Sequence, residues 1–130
     1  MALVLIVDDD LDYSAVLEDV LVAEGHQVRT GHTGAEGLRI AHERQPDVVL
    51  LDIDMPVLSG PEMAYEMFVR DSGLETVPLV LLSGSPRLKE FAARIGTPYF
   101  RAKPFRVNQL LELVGRALAE RIAPQPTPSW

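Results

Sequence analysis

The 130-residue sequence contains no cysteine, which excludes disulfides, thiolate metal sites and a cysteine nucleophile together. It has no basic excess either: 12 Lys and Arg stand against 19 Asp and Glu, a formal net charge of −7. A chain of that sign offers no face to neutralise phosphates, so no direct nucleic-acid binding is expected. Long hydrophobic runs are also missing. No segment approaches the roughly 18 apolar residues that cross a bilayer, so no membrane insertion is expected. The opening "MALVLIV" has no basic flank and runs straight into three aspartates, unlike a signal peptide. It reads as a buried strand, and the chain as cytoplasmic.

What is present suits one domain with a core of its own. Hydrophobic residues make up 47% and charged residues 24%, ordinary values for a globular protein of this size. Apolar runs alternate with stretches at helical spacing. "LVLIV" (3–7) precedes a helical stretch carrying Val16, Leu17, Val20 and Leu21 and closing at Gly25. "QVRT" (27–30) is a short polar strand, nearer an edge. Thr33 and Glu36 have the spacing of a capping box, and the helix they open should bury Ala35, Leu38 and Ala41. "DVVLL" (47–51) is continuously apolar, as a central parallel strand covered on both faces would be. Ser59 can cap a helix with Pro61 in its first turn and Met63, Met67 and Phe68 inside. "VPLVLLS" (77–83) and "YFRA" (99–102) are strands around a short helix over 87–95. Residues 106–121 form a last helix with Val107, Leu110, Leu111, Val114 and Leu118 inward. Five strands alternating with five helices imply an α/β doubly wound parallel sheet. Residues 1–122 form the domain, and the proline-rich tail 123–130, which ends in Trp130, is expected to be disordered.

In such a sheet all strands end at one edge, where ligands bind. Asp8, Asp9 and Asp10 follow the first strand, Asp52 the third, Ser83 the fourth and Lys103 the fifth. Any one of these alone is an ordinary polar loop residue; together they form a site. Two carboxylates about 4 Å apart repel by roughly 4 kcal/mol at an effective dielectric near 20. A cluster of them therefore shifts its pKa values or recruits a cation. Hard oxygen ligands suit Mg²⁺, and an opposing Lys and Ser suit phosphoryl oxygens. The pattern points to phosphoryl chemistry on a carboxylate.

"LIVDDD", "LLDIDMPVLSG", "LLSG" and "AKPF" appear in the order and spacing of two-component response-regulator receiver domains, which the chain resembles over about residues 3 to 120. The resemblance implies a flavodoxin-like fold with strand order 2-1-3-4-5. It implies that Asp52 is the phosphoacceptor, taking a phosphoryl group from a histidine kinase or a histidine phosphotransfer protein. Asp9, Asp52 and the backbone carbonyl of Asp54 match the Mg²⁺ ligands, with Asp8 acting through water. Lys103 matches the lysine that pairs with the phosphoryl group, and Pro104 its usual follower, often after a cis bond. Ser83 matches the hydroxyl that swings toward the phosphoryl oxygen, beside the small Gly84. Phe100 matches the aromatic that turns inward in response; being Phe, it has no hydroxyl to offer a partner. Asp54 and Ser85 take the two positions that tune autodephosphorylation. The segment 84–98 is slightly short for the family. The implied partners are the phosphodonor and an effector protein, and a homodimer formed on phosphorylation is a further expectation. The chain is expected to act on no substrate but itself.

Bland readings apply to other residues. Asp10 and Asp12 suit the first helix's N-terminus, and His26, His32 and His42 read as solvated residues away from the site edge. Met55, Pro56 and Gly60 shape the loop after Asp52. Two rival functions stand beside the switch. "DIDMP" resembles the D-x-D motif of haloacid-dehalogenase-type phosphatases, with Asp52 as nucleophile and Asp54 as general acid. Against this, Pro56 stands where Thr or Val is expected, and the motif follows the third strand. A degenerate receiver used only for docking is the other rival, opposed by the intact acid–Ser–Lys set.

Overall fold

The structure, a computed structural model, describes residues 2–53 and 73–125. The expected helix from Ser59, together with Asp54, Met55, Pro56, Gly60 and Trp130, lies outside the described residues. Among the described residues are five strands and four helices: β1 Leu3–Val7, α1 Leu11–Ala23, β2 Gln27–Gly31, α2 Gly34–Glu43, β3 Val48–Leu51, β4 Leu79–Ser83, α3 Leu88–Ile95, β5 Tyr99–Ala102 and α4 Val107–Glu120. The strands form one sheet in the order β2-β1-β3-β4-β5, with every pair parallel. This is the doubly wound flavodoxin-like arrangement expected.

The apolar runs are continuous because the sheet is covered on both sides. Side chains alternate across a strand. Leu5, Val7, Val49, Leu51, Leu79 and Leu81 therefore pack with Ile40 of α2 and Leu88, Ala92 and Ile95 of α3 on one face. Val4, Ile6, Val48, Leu50, Val80 and Leu82 pack with Leu17 and Leu21 of α1 and with Leu110, Leu113, Val114 and Ala117 of α4 on the other. The polar β2 lies at the sheet edge, as its composition suggests.

The helices differ from expectation in phase. Val107 is expected inward but is 51% exposed, and Ala35, expected buried, is exposed as well. α1 buries Ser14, Leu17 and Leu21, an i, i+3, i+7 row. The Ser14 hydroxyl is accommodated there by donating to the Leu11 carbonyl, 3.1 Å away. α2 buries Gly34 and Gly37 because it passes so close to β2: a Cβ on Gly31 would stand 3.0 Å from the Gly37 nitrogen. Thr33 caps α2 as expected, its hydroxyl accepting from the Glu36 N–H at 3.1 Å. Gly96 ends α3 in the left-handed conformation with φ 77°. Of the proline-rich stretch, 123–125 are described: Pro124 is buried, and the Gln125 N–H donates to the Gly96 carbonyl at 3.2 Å.

Candidate functional site

Parallel register brings the chemistry to one edge. Val7 pairs with Leu51, so Asp8 and Asp52 leave neighbouring strands side by side. The Asp52 N–H donates to the Val7 carbonyl at 2.9 Å, and the Asp8 N–H to the Gly31 carbonyl at 3.0 Å. Ser83 pairs with Ala102, and the Lys103 N–H donates to the Ser83 carbonyl at 2.9 Å. Backbone ladders thus fix the starting point of all these side chains.

The carboxylates of Asp8, Asp9 and Asp52 converge, each offering an oxygen within 4.8 Å of the others. Asp8 is buried, Asp52 half-buried and Asp9 exposed. The Lys103 ammonium sits 2.8 Å from Asp8 Oδ2 and 4.0 Å from Asp52 Oδ2. Oxygens around an octahedral Mg²⁺ at about 2.1 Å lie roughly 3 to 4 Å apart. The three carboxylates stand close to that spacing, and their hard-oxygen chemistry suits the ion.

The neighbouring residues complete the edge. Ser83 is buried, and its hydroxyl accepts the Ser85 N–H at 3.0 Å; the Ser85 hydroxyl accepts from the Arg87 N–H at 3.1 Å. A Cβ on Gly84 would meet nothing within 4 Å, so the space beside Ser83 is open. Pro104 follows Lys103 through a cis peptide bond. Phe100 is half-buried, packs against one face of the core and lines an open cleft with Ser85, Pro86, Lys89 and Pro104. Asp10 caps α1, its carboxylate accepting the Tyr13 N–H at 3.0 Å, while Asp12 lies in the first turn.

Three residues with no assigned role also stand here. The Lys103 ammonium lies over the Tyr13 ring, 4.1 Å from its centroid. Tyr13 meets Phe105 edge to face, with centroids 5.9 Å apart. Burial of the Tyr13 phenol, reinforced by the charges of Asp8, Asp52 and Asp10, pushes its pKa up to about 12. His32, expected away from the edge, is half-buried at the end of β2 with Nδ1 3.1 Å from the Asp8 carbonyl oxygen. The rule that collects polar residues at strand C-terminal ends reaches His32 once β2 is included. Tyr13 lies one turn into the helix after the acids, a placement that only the fold reveals.

The family model of the response regulator receiver domain matches residues 4–115. The chain belongs to this family. The response regulator receiver domain, and not the haloacid-dehalogenase-type phosphatase, accounts for the order of strands and acids. The chain is 38% identical over 120 residues to the transcriptional regulatory protein PrrA of Mycobacterium tuberculosis, covering 91% of this chain and 50% of that protein. It thus spans about half of PrrA's length. It is 32% identical over 121 residues to protein PilH of Pseudomonas aeruginosa, covering 92% of this chain and 99% of PilH. Among solved structures, the Vibrio cholerae chemotaxis protein CheY4 superposes with a TM-score of 0.80 at 30% identity, covering 89% of this chain and 98% of that one. A putative response regulator from Chloroflexus aurantiacus gives 0.84 at 29% identity, covering 91% and 98%. Among the described residues no helix is long and apolar enough to cross a membrane.

Proposed function

We propose that this receiver domain is a phosphorelay switch in which Asp52 accepts a phosphoryl group from the phosphohistidine of a kinase or of a histidine phosphotransfer protein. A single observation carries the reading: the Asp52 carboxylate lies within 4.8 Å of the Asp8 and Asp9 oxygens, with the Lys103 ammonium 4.0 Å from it. An Asp52 oxygen attacks phosphorus, the phosphorus–nitrogen bond to the donor imidazole breaks, and the imidazole nitrogen leaves with the electron pair. Hydrolysis by water returns Asp52 and releases inorganic phosphate.

Asp9, Asp52 and the carbonyl of Asp54, with Asp8 through water, would hold Mg²⁺. Bound there, the ion supplies positive charge against the phosphoryl oxygens as transfer spreads charge onto them. Lys103 pairs with the phosphoryl oxygens as well. The Ser83 hydroxyl turns from its Ser85 contact toward the phosphoryl group through the open space at Gly84, and Phe100 moves inward behind it. This change at the β4–β5 edge is what an effector protein or a second copy of the chain reads. Asp54 and Ser85 set the lifetime of the phosphorylated form. The chain modifies only itself, works in the cytoplasm and, with a net charge of −7, leaves nucleic-acid contact to other proteins or segments.

The test is incubation with acetyl phosphate and Mg²⁺, followed by intact-mass measurement. Wild type should gain one phosphoryl group, and Asp52→Asn none. An undiminished adduct on Asp52→Asn would remove the assignment. A wild type that never reacts, with acetyl phosphate or with beryllofluoride, would favour the docking-module reading.

A further inference from the structure

Lys103 is a flexible side chain with two carboxylates to choose between. In this structure Asp8 holds it at 2.8 Å, while Asp52 stands at 4.0 Å. A lysine that serves a phosphoryl group on Asp52 must leave Asp8 without straying into solvent. An ammonium is also attracted to an aromatic face, through an interaction with little directional demand. Tyr13 offers that face 4.1 Å from the Lys103 nitrogen.

The ring is firmly mounted. Asp8 Oδ1 accepts the Asp10 N–H at 3.0 Å, and Asp10 Oδ1 accepts the Tyr13 N–H at 3.0 Å. The start of α1 is therefore tied to the acid that holds the lysine. Phe105, two residues beyond Lys103, meets the Tyr13 ring edge to face at an interplanar angle of 77°. Both rings pack on the core face formed by α1 and α4. Neither helix propensity nor capping calls for an aromatic at position 13.

We propose that Tyr13 is a positioning residue for Lys103: its ring, buttressed by Phe105, keeps the ammonium within reach of both Asp8 and Asp52, and so presents it to the phosphoryl group on Asp52. The proposal rests on the phosphoacceptor reading for its consequence, but not for its geometry. The ring acts and the hydroxyl does not, so Phe at this position serves and an aliphatic residue does not.

Two measurements on the full chain test it. The first follows the rate of adduct formation from acetyl phosphate at saturating Mg²⁺. Tyr13→Leu should slow it about fivefold, the equivalent of a modest cation–π contact, and Tyr13→Phe should recover most of the loss. Phe105→Leu, which keeps Tyr13 but removes its buttress, should slow it about twofold, and it serves if Tyr13→Leu does not fold. The second measurement needs no phosphorylation. The ε-methylene protons of Lys103 should be shifted upfield by the ring in wild type and in Tyr13→Phe, and return toward ordinary values in Tyr13→Leu. An unchanged rate in Tyr13→Leu, Tyr13→Phe as slow as Tyr13→Leu, or unshifted Lys103 protons in wild type overturns the positioning role. Failure of all variants and wild type to form an adduct, with the shift intact, overturns the phosphoacceptor reading instead.

Discussion

Lys103 and Asp8 form a pair in which one member is nearly closed off, the side chains being 20% and 4% exposed. Removing the ammonium leaves a buried carboxylate short of its charge partner, and such a loss costs more than the intact pair is worth. Lys103→Ala is therefore expected to lower metal-free unfolding stability by about 1–3 kcal/mol at neutral pH, with the partly open site keeping the loss below that of a fully buried pair. Urea unfolding of the two proteins checks this; equal midpoints would mean that water already screens Asp8. Tyr13 titrates in the opposite regime. Its phenol is held protonated to about 12 by burial and then by Asp8, Asp52 and Asp10, against an unfolded value near 10. The folded state thus keeps a proton that the unfolded state releases, so this residue's contribution to stability is intact below pH 10 and is lost as pH rises from 10 through 12. Ultraviolet difference titration of wild type against Tyr13→Phe should show the missing tyrosinate signal rising near pH 12. A signal near 10 would show the ring to be solvated.

At the scale of elements, side chains on one helix can have very different energetic weight from those on a strand of equal hydrophobicity. Leu50 on β3 is 1% exposed, whereas Val16 on α1 is 56% exposed. Leu50→Ala should cost about 2–5 kcal/mol, and Val16→Ala no more than about 0.5 kcal/mol, both read from denaturant midpoints. Comparable losses at the two positions would contradict the exposed place of Val16 on α1. The same contrast explains what the sequence makes legible. β1, β3 and β4 announce themselves because a strand covered on both faces is apolar at every position, and the site acids are legible because Asp8 and Asp52 directly follow such runs and Asp9 comes next to Asp8. Helix phase is harder to read: Ser14, Gly34 and Gly37 turn inward because small residues admit close approach, and no hydrophobicity pattern marks them. Tyr13 and His32 escape for a related reason. Their importance comes from what other elements bring next to them, Lys103 in one case and the Asp8 carbonyl in the other.

The whole molecule separates cohesion from charge. At the opening ends of the strands polar groups are matched: Asp47 accepts the Leu3 N–H at 2.7 Å, and Thr97 donates to the Leu79 carbonyl at 2.6 Å. At the closing ends three carboxylates crowd within 4.8 Å against the ammonium of Lys103, in a chain already carrying −7. The fold tolerates this because its two core faces supply the cohesion, and because exposure of Asp9 lets water screen part of the repulsion. Without a divalent cation, neutralising Asp9 should therefore help: Asp9→Asn is expected to raise unfolding stability by about 1 kcal/mol, the scale of one close like-charge contact in a water-like dielectric. With Mg²⁺ the order should change. An ion that binds only the folded wild type stabilises it by about 2.7 kcal/mol at a hundredfold excess over its Kd, whereas Asp9→Asn, lacking a ligand charge, should show little rise. Thermal unfolding across a Mg²⁺ series separates the two contributions. The crossing of the two stability curves is the diagnostic result, because a site that merely repels gives a constant gap. A variant less stable than wild type without metal, or one that gains as much from Mg²⁺, would show that the acids are held by other contacts and not by a shared cation.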